Sequence, residues 1–349
     1  MMRLPQFRYR APRTVAEAAA WLAESPEATM ILAGGTDLLP NMKRRQQMPA
    51  TVLGLRGLRD ELAAIRREDG VVIGAGVTLT KVTETPEVRD SYRGLWQAAS
   101  QVATPHLRNM ATIGGNLCLD TRCNYYDQNY DWRKAIGFCM KKDGNTCWVA
   151  TSSPKCLAVS STDTAPMLQA LGATITLVST RGSRVLPLSE FYANDGMRYL
   201  TKGPDEILTA VTLPPAAGWR SAYWKLRRRG SFDFPVAAAA VAVRLEGLRV
   251  IDARIVLGAV ASRPLSAERA AQSLRDGDLT DEAIDAAAAL GGEVAKPMDN
   301  TDFELVWRKK IITSLVRDAL REVRGDDMRG RRRQLARQEL LASPIRLDS

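Results

Sequence analysis

The chain has 349 residues, 45% apolar and 25% charged, which are proportions of a globular protein long enough for two or three domains. The absence of a run of about 18 apolar residues excludes a membrane-spanning helix. The first ten residues lack the apolar core of a signal peptide, so we expect a cytoplasmic protein. A single histidine, His106, excludes metal motifs that need two, and we expect it to be structural.

The net charge of +10 is unevenly distributed. Residues 308–349 hold twelve basic and six acidic side chains, so this stretch carries most of the excess. It lacks the interleaved aromatic residues of a single-strand platform. We therefore interpret it as a solvated tail or a subunit contact, and the sequence disfavours a nucleic-acid-binding protein.

The first part of the chain, residues 1–60, has a β-α-β pattern. Thr14 and Glu17 resemble a capping box ahead of a helix. The second part, residues 61–216, mixes strands and helices and contains a cysteine-rich insertion at about 118–158. The predicted elements up to residue 216 are a helix over 16–23, strands over 29–33, 51–55 and 71–74, a helical turn over 77–82, helices over 95–102 and 164–171, and strands over 173–179 and 206–213.

The pattern of predicted elements changes at Pro214-Pro215, which indicates a domain boundary near residue 216. Beyond it, three antiparallel strands are predicted over 221–228, 238–246 and 254–260, followed by helices over 267–275, 281–290 and 304–324. Residues 217–324 thus form a third domain, and the fold class is α+β. The basic remainder, 325–349, contains few apolar residues, so we expect it to be mobile or held by a partner.

Two glycine motifs follow apolar segments. The strand from Ile31 runs into Gly34-Gly35-Thr36-Asp37, and Thr112-Ile113-Gly114-Gly115-Asn116 repeats a hydroxyl, two glycines and a polar residue. Successive backbone N–H groups in such turns can bind a diphosphate, although a plain tight turn explains the first motif equally well. Asp37 would repel phosphate unless its carboxylate points elsewhere. Gly74-Ala75-Gly76 lacks the third glycine and the acidic residue of a Rossmann motif.

All five cysteines lie between Cys118 and Cys156, which indicates one structural unit. Clustered cysteines in a reducing compartment favour a metal or redox centre over disulfides. Their spacings contain no C-x2-C pair, which disfavours a zinc ribbon or finger. The spacings of bacterial and plant-type ferredoxins are also absent. An iron–sulfur cluster is the preferred interpretation, with a zinc site or structural thiols as alternatives.

Three motifs in series carry a family resemblance. The segments 33–40 (AGGTDLLP), 108–116 (RNMATIGGN) and 163–166 (DTAP) resemble the FAD-binding medium subunits of the xanthine dehydrogenase and molybdenum hydroxylase family. The likeness covers roughly residues 4–320. It implies two α/β FAD-binding subdomains of the PCMH type, followed by a domain with a three-stranded antiparallel sheet and helices.

By position, the resemblance assigns binding of the FAD diphosphate to the two glycine loops and places Val102 and Ala103 near the flavin. It assigns further cofactor contacts to three more residues. These candidate residues are Ile31, Leu32, Ala33, Gly34, Gly35, Thr36, Asp37, Leu38, Val102, Ala103, Thr112, Ile113, Gly114, Gly115, Asn116, Asp163, Leu208 and Lys225.

The cysteine insertion narrows the resemblance to the β subunits of 4-hydroxybenzoyl-CoA reductases, which carry a [4Fe-4S] cluster besides FAD. The matching ligands are Cys123, Cys139, Cys147 and Cys156, and Cys118 is not a ligand there. In such enzymes, electrons from ferredoxin pass through this cluster, FAD and [2Fe-2S] centres to molybdenum, where 4-hydroxybenzoyl-CoA becomes benzoyl-CoA. The implied partners are a molybdopterin large subunit and a [2Fe-2S] small subunit, in a dimer of αβγ trimers.

Two further alternatives concern function. The chain could be the medium subunit of a hydroxylase that oxidises an aldehyde, a heteroaromatic compound or another acyl-CoA, with electrons leaving through the flavin. A stand-alone FAD oxidase of similar fold is disfavoured by the cysteine insertion. No cysteines remain for [2Fe-2S] centres, so we expect no catalytic residue in this chain and assign it to electron transfer.

Overall fold

The computed structural model describes residues 3–230 and 232–341, which form three β-sheets with flanking helices. The strands are β1 Arg8–Arg10, β2 Thr29–Leu32, β3 Thr51–Gly54, β4 Ile65–Glu68, β5 Gly70–Gly74, β6 Thr174–Ser179, β7 Gly182–Pro187, β8 Ile207–Leu213, β9 Trp219–Leu226, β10 Ala237–Glu246, β11 Arg249–Gly258 and β12 Leu265–Ser266. The helices are α1 Val15–Glu24, α2 Leu38–Lys43, α3 Arg59–Leu62, α4 Leu79–Glu84, α5 Pro86–Ser91, α6 Arg93–Ser100, α7 Pro105–Arg108, α8 Ile113–Leu117, α9 Tyr130–Ala135, α10 Thr164–Ala170, α11 Glu268–Gln272, α12 Asp281–Val294, α13 Leu305–Arg324 and α14 Arg329–Leu341.

The first sheet is parallel and small, with strand order β1-β3-β2. Helix α1 begins at a side-chain cap, because the Thr14 hydroxyl oxygen accepts the backbone N–H of Glu17 at 3.0 Å. The helix buries Ala18, Ala19 and Leu22. Strand β2 ends at the first glycine motif, so the sheet presents that loop at the carboxyl end of a parallel strand.

The second sheet is antiparallel, with order β4-β5-β8-β6-β7. Strand β8 comes last along the chain but lies at the centre, so residues 61–213 close into one unit. Helix α8, which contains the second glycine motif, packs against β8. Its apolar residues Ile113 and Leu117 are fully buried in the core that also contains Leu208.

The third sheet has the order β12-β11-β10-β9 and is antiparallel. It contains the three predicted strands and a fourth of two residues, β12. Residues 237–243 of β10 are buried on both faces. Because side chains alternate along a strand, Ala238 and Ala240 pack into the core of the second unit, whereas Ala239 and Val241 pack under the C-terminal helices.

Residues 329–341, where we expect a tail that is mobile or held by a partner, instead form helix α14. Arg332 places its guanidinium 4.2 Å from the ring centroid of Trp224 and pairs with Glu322 at 2.5 Å. Arg331 pairs with Asp318 at 2.9 Å. The basic residues of this segment thus hold the helix against the third sheet and α13, and residues 342–349 lie outside the described residues.

Two smaller expectations concern His106 and membrane insertion. His106 is exposed on the short helix α7. Among the helices of the described ranges, none has the combination of length and apolar composition needed to cross a membrane.

Candidate functional site

The two glycine motifs meet at Gly34. A Cβ atom added there would lie 1.9 Å from the carbonyl oxygen of Met110, a distance at which atoms overlap. Gly115 of the second motif faces Ala33, because a Cβ atom added at Gly115 would lie 3.8 Å from that of Ala33. The two loops are therefore in backbone contact, and glycine at position 34 is what permits this distance.

The first loop turns at Gly35, whose φ of 75° is favourable for glycine. Residues 31–37 are half-buried, so part of their backbone faces the surface, whereas Leu38 is buried at the start of α2. Asp37 does not extend freely into the loop. Its carboxylate accepts hydrogen bonds from Arg122 and from the side-chain amide of Asn41, the latter at 3.1 Å.

The second loop begins at Thr112, whose hydroxyl oxygen accepts the backbone N–H of Gly115 at 3.0 Å and caps helix α8. A Cβ on Gly114 would lie 2.7 Å from that of Ala75, so glycine also allows this loop to pack on the end of β5. Asn116 turns inward. Its side-chain oxygen accepts hydrogen bonds from the hydroxyls of Thr162 and Thr164 at 2.8 and 2.6 Å.

Behind the second loop lies a buried ion pair between Asp163 and Lys225, at 3.0 Å. The hydroxyl of Tyr223 donates to the same carboxylate at 2.8 Å. Burial raises the pKa of the Asp163 carboxyl, whereas Lys225 and Tyr223 act in the opposite direction. Since both charged groups are engaged with each other, a direct contact of Asp163 with a cofactor stays a prediction.

The same lysine connects this pair to the predicted flavin surroundings. Lys225 Nζ donates to the carbonyl oxygen of Gln101 at 3.1 Å, next to Val102. Ala103 has a φ of 45°, a left-handed conformation that costs a non-glycine residue energy and often marks functional sites. Leu208 lies buried in β8 beneath helix α8.

The structure thus gathers the predicted residues around two touching loops and one buried polar network. The residues that the sequence did not indicate are Met110, which contributes a carbonyl, and Gln101 and Tyr223, which contribute hydrogen bonds. Their contacts join positions far apart in the chain. Arg122 carried a weak signal, since it directly precedes a predicted cluster ligand.

The four predicted cysteine ligands line one small buried cavity. Cys123, Cys139, Cys147 and Cys156 are 4–6% exposed, and aromatic and apolar side chains complete the lining. These are Tyr125, Tyr126, Met140, Trp148, Val149 and Ala158, with Lys141. Cys118 does not line this cavity.

Burial raises the pKa of the Cys123 thiol to about 12 and that of the Cys156 thiol to about 11. Backbone N–H groups counteract this effect: that of Tyr125 lowers the pKa of the Cys123 thiol, and that of Ala158 lies 3.5 Å from Cys156 Sγ. Lys141 further favours the thiolate of Cys156. The cavity therefore has donors suited to sulfur anions within an apolar lining.

The cysteine segment, the insertion at about 118–158, is anchored on two sides. On one side, the Gln46 side chain donates to the carbonyl of Tyr126 at 2.7 Å. On the other side, the backbone N–H of Asn124 donates to the carbonyl of Asn300 at 3.0 Å, and the Asn300 side-chain amide donates to the carbonyl of Leu157 at 2.6 Å. The first and third parts of the chain thus hold this segment between them.

No set of three or more His, Cys, Asp and Glu side chains within residues 3–230 and 232–341 is arranged to hold a single metal ion.

Comparison with known proteins identifies the family. Residues 5–216 match the FAD binding domain in molybdopterin dehydrogenase, and residues 221–323 match the CO dehydrogenase flavoprotein C-terminal domain. The chain therefore belongs to the FAD-binding medium subunits of the molybdenum hydroxylase and CO dehydrogenase family. The first match ends between β8 and β9, and the second begins within β9, the first strand of the third sheet.

Individual relatives agree with this family. The chain is 31% identical to the aldehyde oxidoreductase FAD-binding subunit PaoB of Escherichia coli K12, over 90% of this chain and 98% of the relative. It is 30% identical to the carbon monoxide dehydrogenase medium chain of Afipia carboxidovorans, over 90% and 95%. The cyanide-inactivated form of Cu,Mo-CO dehydrogenase contains a chain of the same fold, with a TM-score of 0.76, 29% identity and coverage of 92% and 99%.

These relatives confirm the predicted fold and the assignment to oxidoreductase subunits that bind FAD. The two touching glycine loops agree with that cofactor, because the glycines let the two backbones approach closely and the first loop lies half-buried at the surface.

Proposed function

We propose that this chain is an electron-transfer subunit that holds FAD between its glycine loops and a [4Fe-4S] cluster in its cysteine segment. The observation that carries the proposal is the single buried cavity lined by Cys123, Cys139, Cys147 and Cys156. In a four-iron cluster each thiolate binds a different iron, so the ligands surround a volume instead of converging on one ion. This favours a cluster over the tetrahedral thiolate shell of zinc.

The surroundings of the cavity support an anionic centre. A cluster with four thiolates has a negative charge that backbone N–H groups and nearby cations offset. The amides of Tyr125 and Ala158 supply such donors. Lys141, with a side chain 7% exposed, supplies a buried cation that also pairs with Asp120 at 2.8 Å.

When bound, FAD and the cluster supply electron transfer in one- and two-electron steps. The chain's own residues position these groups and shield them from water. We propose that a molybdopterin large subunit and a [2Fe-2S] small subunit complete the enzyme. By its resemblance to 4-hydroxybenzoyl-CoA reductases, the complex takes electrons from ferredoxin and converts 4-hydroxybenzoyl-CoA to benzoyl-CoA.

A second candidate reaction is an oxidation with electrons leaving through the flavin. The relatives favour it, because their names describe an aldehyde oxidoreductase, a nicotinate dehydrogenase and a carbon monoxide dehydrogenase. The two candidates share the same roles for the glycine loops and differ in the direction of electron flow.

The cluster is tested by anaerobic purification with iron, sulfide and flavin analysis. We expect about four irons and one FAD per chain. The Cys139→Ser variant should lose the broad cluster absorbance and most iron while keeping FAD, because the glycine loops are unchanged. The matched control is Cys118→Ser, whose thiol lies outside the cavity and whose iron content should equal that of the parent protein. Zinc without flavin, or full iron in Cys139→Ser, would contradict the assignment.

The reaction is tested on the complex purified with its partner subunits. Reduced ferredoxin and 4-hydroxybenzoyl-CoA should yield benzoyl-CoA if the first candidate is correct. Turnover of an aldehyde or a heteroaromatic compound with an electron acceptor, without dehydroxylation of the thioester, would favour the second.

A further inference from the structure

The first glycine loop contains an acidic residue in an unfavourable place. Asp37 follows Gly34-Gly35-Thr36, within the loop that accepts the FAD diphosphate in the proposed function. Two negative groups at short distance repel each other strongly where water is partly excluded. A bare carboxylate at this position would therefore weaken the binding of a diphosphate.

The structure pairs this carboxylate with a cation from the cysteine segment. Arg122 Nη2 donates to Asp37 Oδ1, and Asn41 donates to Oδ2 at 3.1 Å. The two charged side chains are 11% and 27% exposed, so solvent screens their attraction only in part. The Arg122 guanidinium also lies 4.8 Å from the ring centroid of Phe234.

Arg122 is held by the fold of the segment itself. It directly precedes Cys123, and its backbone makes two hydrogen bonds with Val159, at 2.8 and 2.7 Å. These bonds join the two ends of the segment, beside Cys123 and Cys156. The position of the guanidinium thus depends on the same chain ends that bring two of the cysteines together.

Two other carboxylates near Arg122 each have a second cation within ion-pair distance. Asp120 pairs with Lys141 at 2.8 Å, and Asp127, which Arg122 also stabilises, lies 3.9 Å from Arg44. Arg122 therefore balances Asp37, which has no other cation within ion-pair distance among the described residues.

We propose that the Asp37–Arg122 pair couples FAD binding to an intact cysteine segment. With the segment folded around its metal centre, Arg122 neutralises Asp37 and the glycine loop accepts the diphosphate. When the cysteines lose their ligand, the segment loosens, Arg122 withdraws, and the exposed charge of Asp37 opposes the diphosphate. By linkage, bound FAD stabilises the metal centre to the same degree. This inference rests on the proposed function.

The test measures the dissociation constant of FAD by flavin fluorescence, for the full chain with its iron and after removal of iron by a chelator. Iron removal should weaken FAD binding about tenfold in the parent protein, within the usual range of such coupling. Asp37→Asn removes the repulsive charge, so its FAD binding should change less than about twofold on iron removal. Arg122→Gln should bind FAD weakly in both states.

The matched control is Arg181→Gln, which breaks an exposed ion pair with Asp205 far from both sites and should keep the parent response. Circular dichroism checks folding, and Asp37→Asn carries the test by itself if Arg122→Gln does not fold. An unchanged FAD constant after iron removal in the parent protein would overturn the coupling and leave the proposed function intact. A tenfold loss in Asp37→Asn would overturn the role of the pair. A chain purified without iron would contradict the proposed function, and the coupling with it.

Discussion

Gly34 shows how one residue decides whether two loops can form a binding site. The Met110 carbonyl oxygen occupies the space where any other residue would place its Cβ atom. A rigid backbone group cannot move aside as the end of a flexible side chain would. The two loops must therefore separate if position 34 carries a side chain.

We expect Gly34→Ala to lose most of its bound FAD, because separation of the loops displaces the backbone of the first loop from its place beside the second. The flavin-to-protein absorbance ratio of the purified chain measures this loss. Gly277→Ala is the matched control, since the nearest atom to its new Cβ is 3.9 Å away and it lies far from the loops. Equal flavin content in both variants would show that the contact at Gly34 is not needed for binding.

For single residues, the sequence predicts which residue types are important better than it predicts what those residues contact. The glycines and the cysteines were recognisable because backbone freedom and thiolate chemistry belong to the residue itself. The contacts of these residues were not recognisable, because Gly34 contacts Met110 and Asp37 contacts Arg122, residues that lie far away in the sequence. The sequence indicates that the Asp37 carboxylate must point away from a bound phosphate, but it does not indicate which residue the carboxylate contacts.

At the scale of elements, helix α14 is held by ion pairs as well as by the buried Leu335. Glu322 of α13 accepts hydrogen bonds from Arg332 at 2.5 Å, from Trp224 Nε1 at 2.7 Å and from Gln97 Nε2 at 2.7 Å. Hydrogen bonds to a charged group contribute about 1.5–3 kcal/mol each in partly buried places. The arginine at position 332 therefore fixes α14 to a polar centre shared by three elements.

We expect Arg332→Ala to lower the free energy of unfolding by about 1–3 kcal/mol, because Glu322 loses its cation and Trp224 its stacked guanidinium. Urea unfolding followed by tryptophan fluorescence measures the change. Arg333→Ala, at a neighbouring exposed position, should change it by less than about 0.5 kcal/mol. Equal effects of the two substitutions would mean that the Arg332 contacts contribute nothing specific.

The sequence does not indicate helix α14, because a run of arginines with few apolar residues is usually solvated. The acidic partners Asp318 and Glu322 stand in the preceding helix, and a sequence pattern does not reveal that the chain turns back upon them. The three strands β9, β10 and β11 were predictable, because apolar and β-branched runs bounded by turns identify strands locally. The short β12 lacks such a pattern and arises from pairing with β11.

For the whole molecule, the third sheet completes the core of the second unit. Alternate residues of β10, together with Tyr223 of β9, pack among the helices and strands of residues 71–213. A fragment that ends at residue 216 would expose this apolar surface. Two separate family models match the two parts of the chain, but this does not mean that each part folds stably by itself.

We expect the fragment 1–216 to be insoluble or to lack a cooperative thermal transition, because its core is open on one side. Circular dichroism during heating measures this. The control is a chain ending at residue 328, which keeps β9–β11 and α13 and loses only α14, and which should unfold in a single transition. A cooperative transition in the shorter fragment would show that the shared core is dispensable.

The hydrogen bond between Asn124 and Asn300 also bears on the order of events during synthesis. Residue 300 leaves the ribosome long after the five cysteines, since 144 residues separate it from Cys156. At a translation rate of about 5–20 residues per second, this interval lasts on the order of ten seconds. During that time the cysteine segment lacks its hydrogen bonds to Asn300. If the segment holds the proposed cluster, we therefore expect the cluster to assemble on the finished polypeptide.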